Sequence, residues 1–304
     1  MRYKGVSHMD AEGERLSPLA SVRATRAVLE AHGLATKKAL GQHFLINEGV
    51  VRRICDVAEL SCEDDILEVG PGIGTLTVAL LHCARRVAAI ERDVDLPAVL
   101  AETCDFAHDR FELIRCDALS VGPDDLSFAP NKLVANLPYA VAATLVLDVF
   151  ERFNSIQSAT VMVQSEVADR MAAHPGTKNY GAFTVKLALF AHPVSRFTVA
   201  PTNFFPPPRV QSTVIRLDRA EQDNLSPDER RCARMMADAA FATRRKTVAN
   251  SCRAYFAGRV DAASIDQVLA ASNIDPRRRG ESLSLEEFKC LGKQAYKMGL
   301  LSRQ

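Results

Sequence analysis

The sequence contains no tryptophan, and it lacks the hydrophobic segments that mark membrane and secreted proteins. No stretch approaches the roughly 20 apolar residues of a transmembrane helix. The start has no signal-peptide apolar region, and its acidic residues Asp10, Glu12 and Glu14 are untypical of a mitochondrial transit peptide. We therefore expect a cytoplasmic protein that does not enter a membrane.

None of the eight cysteines is part of a C-x-x-C pair. Zinc knuckles and dithiol redox motifs need that spacing, so the sequence indicates neither kind of site. Free cysteines in a reducing compartment behave mainly as small buried hydrophobic residues. We therefore expect no metal site and reduced, mostly buried thiols.

The formal net charge of +1 conceals an uneven distribution of charge along the chain. Residues 1–53 contain nine Lys or Arg and five Asp or Glu, and residues 218–304 contain sixteen and twelve. Residues 54–217 contain thirteen and twenty, so the middle is acidic and both flanks are basic. A polyanion would then contact the flanks, while the middle performs a different task.

Apolar strands and helices alternate through the middle of the sequence. Repeated β-α-β alternation is typical of an α/β fold with a mostly parallel, doubly wound, Rossmann-like sheet. We expect this domain, with its N-terminal helical segment, to span residues 17–217, after a mobile tail at residues 1–16. The predicted strands are 65–69, 87–90, 111–115, 132–135 and 159–163, with closing strands at 194–199 and 210–217.

Residues 218–304 show no further strand and form a predicted small helical domain. Ser, Thr, Asn and Asp stabilise helix N-termini through their side-chain oxygens, particularly when Glu follows three residues later. We expect the first helix of this domain to run through the Arg244 region and the last to end near Met298. The residues predicted to cap helices along the whole chain are Ser17, Asn47, Ser226, Asp261 and Ser284.

A glycine-rich turn joins the strand 65–69 to the helix that follows it. Gly70, Gly72 and Gly74 let the backbone approach a ligand closely, and the helix N-terminus favours binding there. Glu91 ends the next strand, where a carboxylate can accept both ribose hydroxyls of a nucleoside. The sequence therefore predicts a cofactor that contains a nucleoside.

Two classes of cofactor fit this turn. A dinucleotide site has the spacing G-x-G-x-x-G, and here the third glycine comes one residue early. Glu68 precedes the turn, where its charge would repel a pyrophosphate. S-adenosylmethionine has an ammonium and a sulfonium group and no phosphate, so it fits better, and Asp117 can accept from its adenine amine. Strand-end carboxylates in solvent are the alternative interpretation.

The tetrapeptide Asn136–Tyr139 follows the fourth predicted strand, and ligands bind beyond the carboxyl ends of strands in open α/β sheets. The Asn136 amide both donates and accepts hydrogen bonds, and the Tyr139 ring offers a flat stacking face. Such a group can hold a planar molecule such as a nucleobase. On these four residues alone, a turn that happens to contain proline remains an equal alternative.

Together, the segments 68–74 and 136–139 resemble motifs of the ribosomal RNA adenine-N6 dimethyltransferases, and the similarity is greater to their small-subunit type. The resemblance covers roughly residues 18–298 in the family's order. It implies a class I S-adenosylmethionine-dependent methyltransferase with a helical, RNA-binding domain at residues 218–304. The other similar segments are 41–45, 164–170, 180–181, 205–215, 241–247 with Asn250, and 279–283.

The resemblance also implies roles for individual residues. One position departs from a common form of the family, which often has asparagine where His43 stands, so a side-chain contact there would differ. Phe205 would form one wall of the pocket for the target base; a loop aromatic that fills the core is the alternative interpretation. The implied cofactor-binding residues are His43, Leu45, Gly70, Gly72, Glu91, Asp117 and Asn136.

The tetrapeptide is the expected catalytic group, made of Asn136, Leu137, Pro138 and Tyr139. The Asn136 side-chain oxygen and the Leu137 carbonyl could accept the two hydrogens of an adenine amine and free its lone pair. Pro138 fixes the turn, and Tyr139 stacks on the base. This chemistry needs neither a metal nor a covalent nucleophile.

Basic clusters at Arg244, Arg245 and Lys246 and at Arg277–Arg279 suit contact with the phosphates of folded RNA. Solvated helix faces are the alternative interpretation. The implied function is dimethylation of two adjacent adenines in a 3′-terminal hairpin of small-subunit (16S) RNA, by a monomer acting on a pre-assembled 30S particle. A large-subunit (23S) dimethylase and a non-catalytic RNA-binding assembly factor stay open, although Leu137, rather than isoleucine, favours the first.

Overall fold

The structure is a computed structural model that describes residues 15–37, 41–221 and 224–300. The predicted tail at residues 1–16 lies outside the described residues, apart from Arg15 and Leu16. The described chain forms a seven-stranded sheet with helices on both faces, followed by a helical domain. No helix within these ranges is long and apolar enough to cross a membrane.

The elements are numbered in chain order. The strands are β1 (Phe44–Leu45), β2 (Asp65–Val69), β3 (Arg86–Glu91), β4 (Phe111–Arg115), β5 (Lys132–Asn136), β6 (Ser158–Gln164), β7 (Ala191–Val199), β8 (Phe204–Phe205) and β9 (Ser212–Arg219). The helices of the α/β domain are α1 (Val22–Ala31), α2 (Glu48–Val57), α3 (Thr75–Cys83), α4 (Pro97–Thr103), α5 (Ala142–Arg152), α6 (Ser165–Met171) and α7 (Ala182–Ala188). The helices that follow are α8 (Pro227–Phe241), α9 (Val248–Tyr255), α10 (Ala262–Ala271) and α11 (Leu285–Lys297).

The large sheet has the strand order β4-β3-β2-β5-β6-β9-β7. The first five strands in this order are parallel, and β9 runs antiparallel to both of its neighbours. The predicted mostly parallel, doubly wound sheet is therefore confirmed. The strand order reverses between β2 and β5, and in such sheets the crevice at this point is where ligands bind.

Both faces of the sheet are buried, which is why the central strands are almost continuously apolar. Ile66 of β2 packs into the core with α2 and α3, while its neighbour Leu67 packs on the opposite face with α5. Successive side chains of a strand point to opposite faces, so one strand contributes to both cores. This packing holds the ends of β2 and β5 in fixed positions.

The first helix begins later than the sequence predicts. Helix α1 starts at Val22, and its N-cap is Ser21, whose hydroxyl accepts from the Ala24 amide over 3.1 Å. The prediction that Ser17 caps this helix is therefore wrong; its amide instead donates to Glu48 over 3.2 Å. The predicted cap at Asn47 is confirmed, since its side chain accepts from the amide at the third helical position of α2.

The helical domain confirms the predicted caps at Ser226, Asp261 and Ser284. Helix α8 ends at Phe241, so the prediction that it runs through the Arg244 region is wrong. A turn follows, and then α9, which the sequence did not predict and which Thr247 caps. The core of this domain also takes in Tyr180, whose hydroxyl donates to the Leu283 carbonyl over 2.8 Å.

Candidate functional site

A cavity of about 530 Å³ opens beyond the carboxyl ends of β2, β3 and β5. Its lining contains all seven residues predicted to bind a cofactor and all four residues of the tetrapeptide, two groups that share Asn136. Glu68 and Asp93 also lie there. The lining residues that the sequence singled out are His43, Leu45, Glu68, Gly70, Gly72, Glu91, Asp117, Asn136, Leu137, Pro138 and Tyr139.

The glycine turn is shaped by its neighbours on both sides. Gly70 has a φ of 70°, and a Cβ built on it would lie 3.5 Å from the Cδ atom of Pro138. Gly72 has a φ of 63°, and a Cβ there would lie 3.1 Å from the ring of Phe44. Both positions therefore need glycine for their backbone conformation. Gly72 also needs it because a Cβ atom would crowd the Phe44 ring.

The ring of Phe44 covers the turn because β1 is held in place by β8. Phe44 pairs with Phe205, and Leu45 pairs with Phe204. The sequence predicted an irregular segment here, because two-residue strands separated by about 160 positions leave no local periodicity to read. These paired strands bring the segment after Gly41 to the cavity.

Phe205 does not line this cavity. Its side chain packs against a buried apolar cluster that includes Leu29 and Ile73, and the guanidinium of Arg26 lies 5.1 Å from the ring centre. The side chain therefore packs outside the cavity lining in this structure. Its role as a wall for the target base stays a prediction.

Glu91 is buried at the end of β3 and is tied to the backbone by both carboxylate oxygens. One oxygen accepts from the Gly72 amide over 3.3 Å, and the other accepts from the Asp93 amide over 2.7 Å. Burial raises the pKa of the Glu91 carboxyl above its ordinary value. Asp93, which the sequence did not single out, also accepts from Gln42 over 2.7 Å and pairs with Lys37 over 2.5 Å.

Asp117 lies at the exposed rim of the cavity, just past β4. One of its oxygens accepts from the Leu119 amide over 3.0 Å, and the other pairs with Arg92 over 3.2 Å. The hydrogen bonds from the Leu119 amide and then from Arg92 lower the pKa of this carboxyl. Asp117 is thus an ionised acceptor at the rim of the cavity.

Glu68 is 1% exposed, and its Oε2 atom has no hydrogen-bond partner among the described residues. Burial, together with the nearby charge of Glu91 and against a lowering effect of Thr77, raises the pKa of its carboxyl to about 8. The hydroxyl of Thr75, also in the cavity lining, is likewise buried without a partner in the described chain. Buried polar atoms normally find partners, so these atoms mark a place for a polar group of a ligand.

The cavity therefore favours a cationic ligand without phosphate groups. Its lining contains the carboxyl groups of Glu68, Glu91, Asp93 and Asp117, and the one Lys or Arg among the described lining residues is Arg92, already paired with Asp117. A phosphate would meet carboxylates here instead of donors. An amino-acid ammonium group and ribose hydroxyls are donors that these acceptors suit.

Asn136 ends β5 with its side-chain amide held in one orientation. Its Nδ2 atom donates to the His43 carbonyl oxygen over 3.3 Å. Within the described ranges, no hydrogen bond reaches the Asn136 Oδ1 atom or the Leu137 carbonyl oxygen. The Leu137 amide donates to Met162 over 3.1 Å, which holds the tetrapeptide on the sheet. Two neighbouring residues at the end of β5 thus each keep an acceptor oxygen without a hydrogen bond in the described chain.

Tyr139 is anchored at its hydroxyl, which lies 2.6 Å from the Ser212 hydroxyl. Its ring stacks with that of His43, with ring centres 5.9 Å apart and planes inclined by 26°. Burial raises the pKa of the Tyr139 hydroxyl, so the group is neutral at physiological pH. The ring is therefore held as a fixed aromatic surface next to Asn136.

The basic clusters lie in the helical domain, outside the lining of this cavity. Arg244, Arg245 and Lys246 are exposed in the turn between α8 and α9. The Val248 amide donates to the Arg278 carbonyl over 2.6 Å, which places this turn beside the second cluster. We call the combined surface of 244–246 and 277–279 the basic patch.

Not every charge in the basic patch is equally available. Arg277 pairs with Asp275 over 2.9 Å, and Arg278 pairs with Glu287. Arg244 is 65% exposed at its side chain and lies 4.0 Å from Glu281. The first cluster is therefore the less neutralised part of the patch.

Among the described residues, no group of three His, Cys, Asp or Glu is placed to hold a metal ion.

Comparison with known proteins gives consistent matches. Residues 33–290 match the family model described as ribosomal RNA adenine dimethylase. The ribosomal RNA small subunit methyltransferase A of Geobacillus sp. is 38% identical over 274 residues, covering 88% of this chain and 94% of the relative. The protein of the same name from Mycobacterium leprae is 42% identical over 258 residues, covering 83% of each chain.

Solved structures match the same fold. A dimethyladenosine transferase from Plasmodium falciparum aligns with a TM-score of 0.72 and 24% identity, covering 84% of this chain and 98% of the other. The 23S rRNA methyltransferase ErmE aligns with a TM-score of 0.59 and 24% identity, covering 83% of this chain and 98% of the other. The Rossmann-like methyltransferase fold predicted for this chain is thereby confirmed.

Proposed function

Because this chain belongs to the ribosomal RNA adenine dimethylase family, we propose that it dimethylates adenine N6 amines of small-subunit ribosomal RNA with S-adenosylmethionine as donor. The observation that carries the proposal is the pair of acceptors at Asn136 and Leu137, next to a cavity suited to a cationic ligand. Those acceptors match the two hydrogens of an adenine amine.

The carboxyl-lined part of the cavity would hold the cofactor. Glu91 would accept from the ribose hydroxyls, Asp117 from the adenine amine, and the free Glu68 Oε2 atom from the amino-acid end, directly or through water. When bound, S-adenosylmethionine supplies an electrophilic methyl group. The ring of Phe44 on Gly72 would exclude water from this part of the site.

The tetrapeptide would make the target amine nucleophilic. The lone pair of an exocyclic adenine amine is delocalised into the ring, so the planar amine is a poor nucleophile. Acceptance of its hydrogens by the Asn136 Oδ1 and Leu137 carbonyl oxygens favours the tetrahedral nitrogen that attack requires. Because Nδ2 of Asn136 donates to the His43 carbonyl, the Oδ1 atom would be the one that accepts from the amine. Catalysis is then mainly positioning and electrostatic stabilisation.

The target base would be held outside the RNA stack. A base inside a helix cannot reach the cavity, so it must be extruded or already unstacked. The anchored Tyr139 ring offers a stacking surface, and such stacking is worth roughly 1–3 kcal/mol per base. The basic patch would bind phosphates of the surrounding folded RNA, at a distance from the reacting amine.

The site does not by itself name the RNA. The relatives named for the small subunit favour that substrate over the large subunit. A cavity that contains both the predicted cofactor residues and the tetrapeptide argues against a non-catalytic assembly factor. We further propose that a monomer acts in the cytoplasm on a pre-assembled 30S particle, at two adjacent adenines of a 3′-terminal hairpin. A basic patch built from two separated segments suits folded RNA better than a free strand.

Methyl incorporation into purified subunits tests the proposal. Unmethylated small subunits, large subunits and free 16S RNA would each be incubated with enzyme and labelled S-adenosylmethionine, then digested to nucleosides for mass spectrometry. We expect N6,N6-dimethyladenosine in the small-subunit particle alone. Label in the large subunit would support the related 23S activity, and label in neither would support a non-catalytic role.

A further inference from the structure

His43 contacts both the tetrapeptide and the segment that joins β8 to β9. Its backbone carbonyl oxygen accepts the hydrogen bond from Asn136 Nδ2 over 3.3 Å. Its ring nitrogen Nδ1 lies 2.8 Å from the Pro206 carbonyl oxygen. His43 therefore connects the tetrapeptide to the segment 206–211, which joins β8 to β9 and which we call the proline loop.

The contact with Pro206 fixes where the imidazole ring carries its proton. A carbonyl oxygen only accepts hydrogen bonds, so Nδ1 must donate. The side-chain amide of an asparagine would offer the same kind of N–H donor at a similar distance from the backbone. Substitution by asparagine can thus separate the contribution of the N–H donor from that of the aromatic ring.

The proline loop is held at its two ends by the two stacked rings. His43 holds Pro206 at the start, and Tyr139 holds Ser212, the residue just after the loop, over 2.6 Å. Between these ends, Pro207 and residues 209–211 are exposed. The end of the loop is also held by the protein core, because Pro208 is buried and the Ser165 amide donates to the Gln211 carbonyl over 3.0 Å. The His43 contact is the side-chain hydrogen bond at the start of the loop, made by the same residue that accepts from Asn136.

We infer that His43 is a positioning residue for the target adenine, acting through its carbonyl on Asn136 and through its Nδ1 donor on the proline loop. This inference rests on the proposed function and adds to it, because the sequence assigns His43 to the cofactor alone. Loss of the donor leaves the Pro206 carbonyl free and lets the loop shift. A misplacement of about 1 Å at a reacting group can cost on the order of 10²-fold in rate.

Three variants separate the donor, the ring and the cofactor role. His43→Asn keeps a donor and removes the ring, His43→Phe keeps a ring and removes the donor, and His43→Ala removes both. The readouts are kcat and KM on small-subunit particles, the Kd for S-adenosylmethionine by calorimetry, and the melting temperature. We expect kcat to fall at least tenfold in the Phe and Ala variants and less than threefold in His43→Asn.

The cofactor affinity decides between positioning and direct cofactor contact. We expect the Kd for S-adenosylmethionine to stay within threefold of wild type in all three variants, and KM for the particle to change little. A Kd that worsens in parallel with kcat would overturn the inference. So would a variant order in which His43→Phe is active and His43→Asn is not, since the ring would then matter and the donor would not.

A second measurement does not depend on methyl transfer or on a ribosomal substrate. Long-range ¹H–¹⁵N correlation spectra of histidine-labelled protein distinguish the ring tautomers, and the His43→Asn spectrum assigns the signal. We expect a proton on Nδ1 of His43; a proton on Nε2 alone would contradict the inference. If wild type methylates no ribosomal particle, the proposed function fails, while the tautomer still decides whether His43 holds the proline loop.

Discussion

The backbone amide of Gly72 donates to the Glu91 carboxylate over 3.3 Å, so the glycine turn and the end of β3 are parts of one site. The same carboxylate accepts from the Asp93 amide over 2.7 Å. An acceptor that is already aligned by two backbone amides needs little reorganisation when a ribose binds. Its position follows from strand pairing, since Glu91 ends the strand next to β2.

Glu91→Gln should weaken cofactor binding strongly. The substitution replaces one acceptor oxygen by an NH₂ group, which would face a backbone N–H at Gly72 or Asp93. Hydrogen bonds to charged groups are worth about 1.5–3 kcal/mol, so we expect a 10- to 100-fold rise in the Kd for S-adenosylmethionine. Calorimetry measures it, and exposed Glu63→Gln is the matched control. An unchanged Kd in Glu91→Gln would remove Glu91 from the cofactor site.

Glu68 should make stability depend on pH. Its pKa is about 8 in the folded chain against an ordinary 4.5, so between these values the folded state keeps a proton that the unfolded state releases. The stabilising contribution is therefore complete below pH 4.5 and is lost as pH rises to 8. Each pKa unit corresponds to about 1.4 kcal/mol, which puts the contribution on the order of 5 kcal/mol.

Urea unfolding of wild type and Glu68→Gln between pH 5 and 9 measures this effect. Gln cannot titrate, so the variant should lose most of the decline that wild type shows between pH 5 and 8. The raised pKa of Glu91 acts in the same direction and leaves a smaller slope. Parallel curves for the two proteins would show that Glu68 is ionised in the folded chain throughout this range.

Tyr139 should act through its ring more than through its hydroxyl. Tyr139→Ala removes a stacking surface worth roughly 1–3 kcal/mol per base, so we expect methyl transfer to fall 5- to 150-fold. Tyr139→Phe keeps the ring and loses the 2.6 Å contact with Ser212, so its rate should stay closer to wild type. Single-turnover rates on small-subunit particles test this order. Equal losses in both variants would mean that anchoring, and not stacking, is the contribution of Tyr139.

Charge reversal at Arg244 and Arg245 should weaken RNA binding and leave the cofactor site intact. These exposed side chains lie in the turn between α8 and α9, outside the cavity lining. Each lost phosphate contact should also flatten the salt dependence of the affinity, by a slope of about 0.7 to 0.9 per contact. Filter binding across a salt series measures both quantities. Arg231→Glu, exposed on α8, is the control; an equal loss there would indicate a nonspecific charge effect.

The sequence was sufficient for the features that local patterns encode. Buried strands such as β2 read as apolar runs, and caps such as Asn47 follow from side-chain chemistry within four residues. The carboxyl ends of parallel strands meet at one edge, so the residue order alone predicts that Gly70, Glu91 and Asn136 share one cavity. Their roles in binding remain predictions.

Features that depend on contacts between distant parts of the chain could not be predicted from local sequence patterns. The pairing of β1 with β8 joins segments about 160 residues apart, and each strand has two residues. Ser17 has the chemistry of a cap, but its amide and that of Leu16 are held by Glu48, so the helix begins later. The hydrogen bond between Asn136 and His43 likewise appears only once β1 is in place.

The single-turnover rate of Asn136→Ala tests the central claim most directly. The wild type and the variant would be compared on small-subunit particles at saturating S-adenosylmethionine, with the Kd for the cofactor measured in parallel. Loss of a preorganised hydrogen-bonding group at a reacting centre typically costs about 10²–10³-fold in rate, so we expect a loss of that order with a cofactor Kd within about fivefold of wild type. Undiminished methyl transfer by Asn136→Ala would contradict the assignment of its oxygen to the adenine amine.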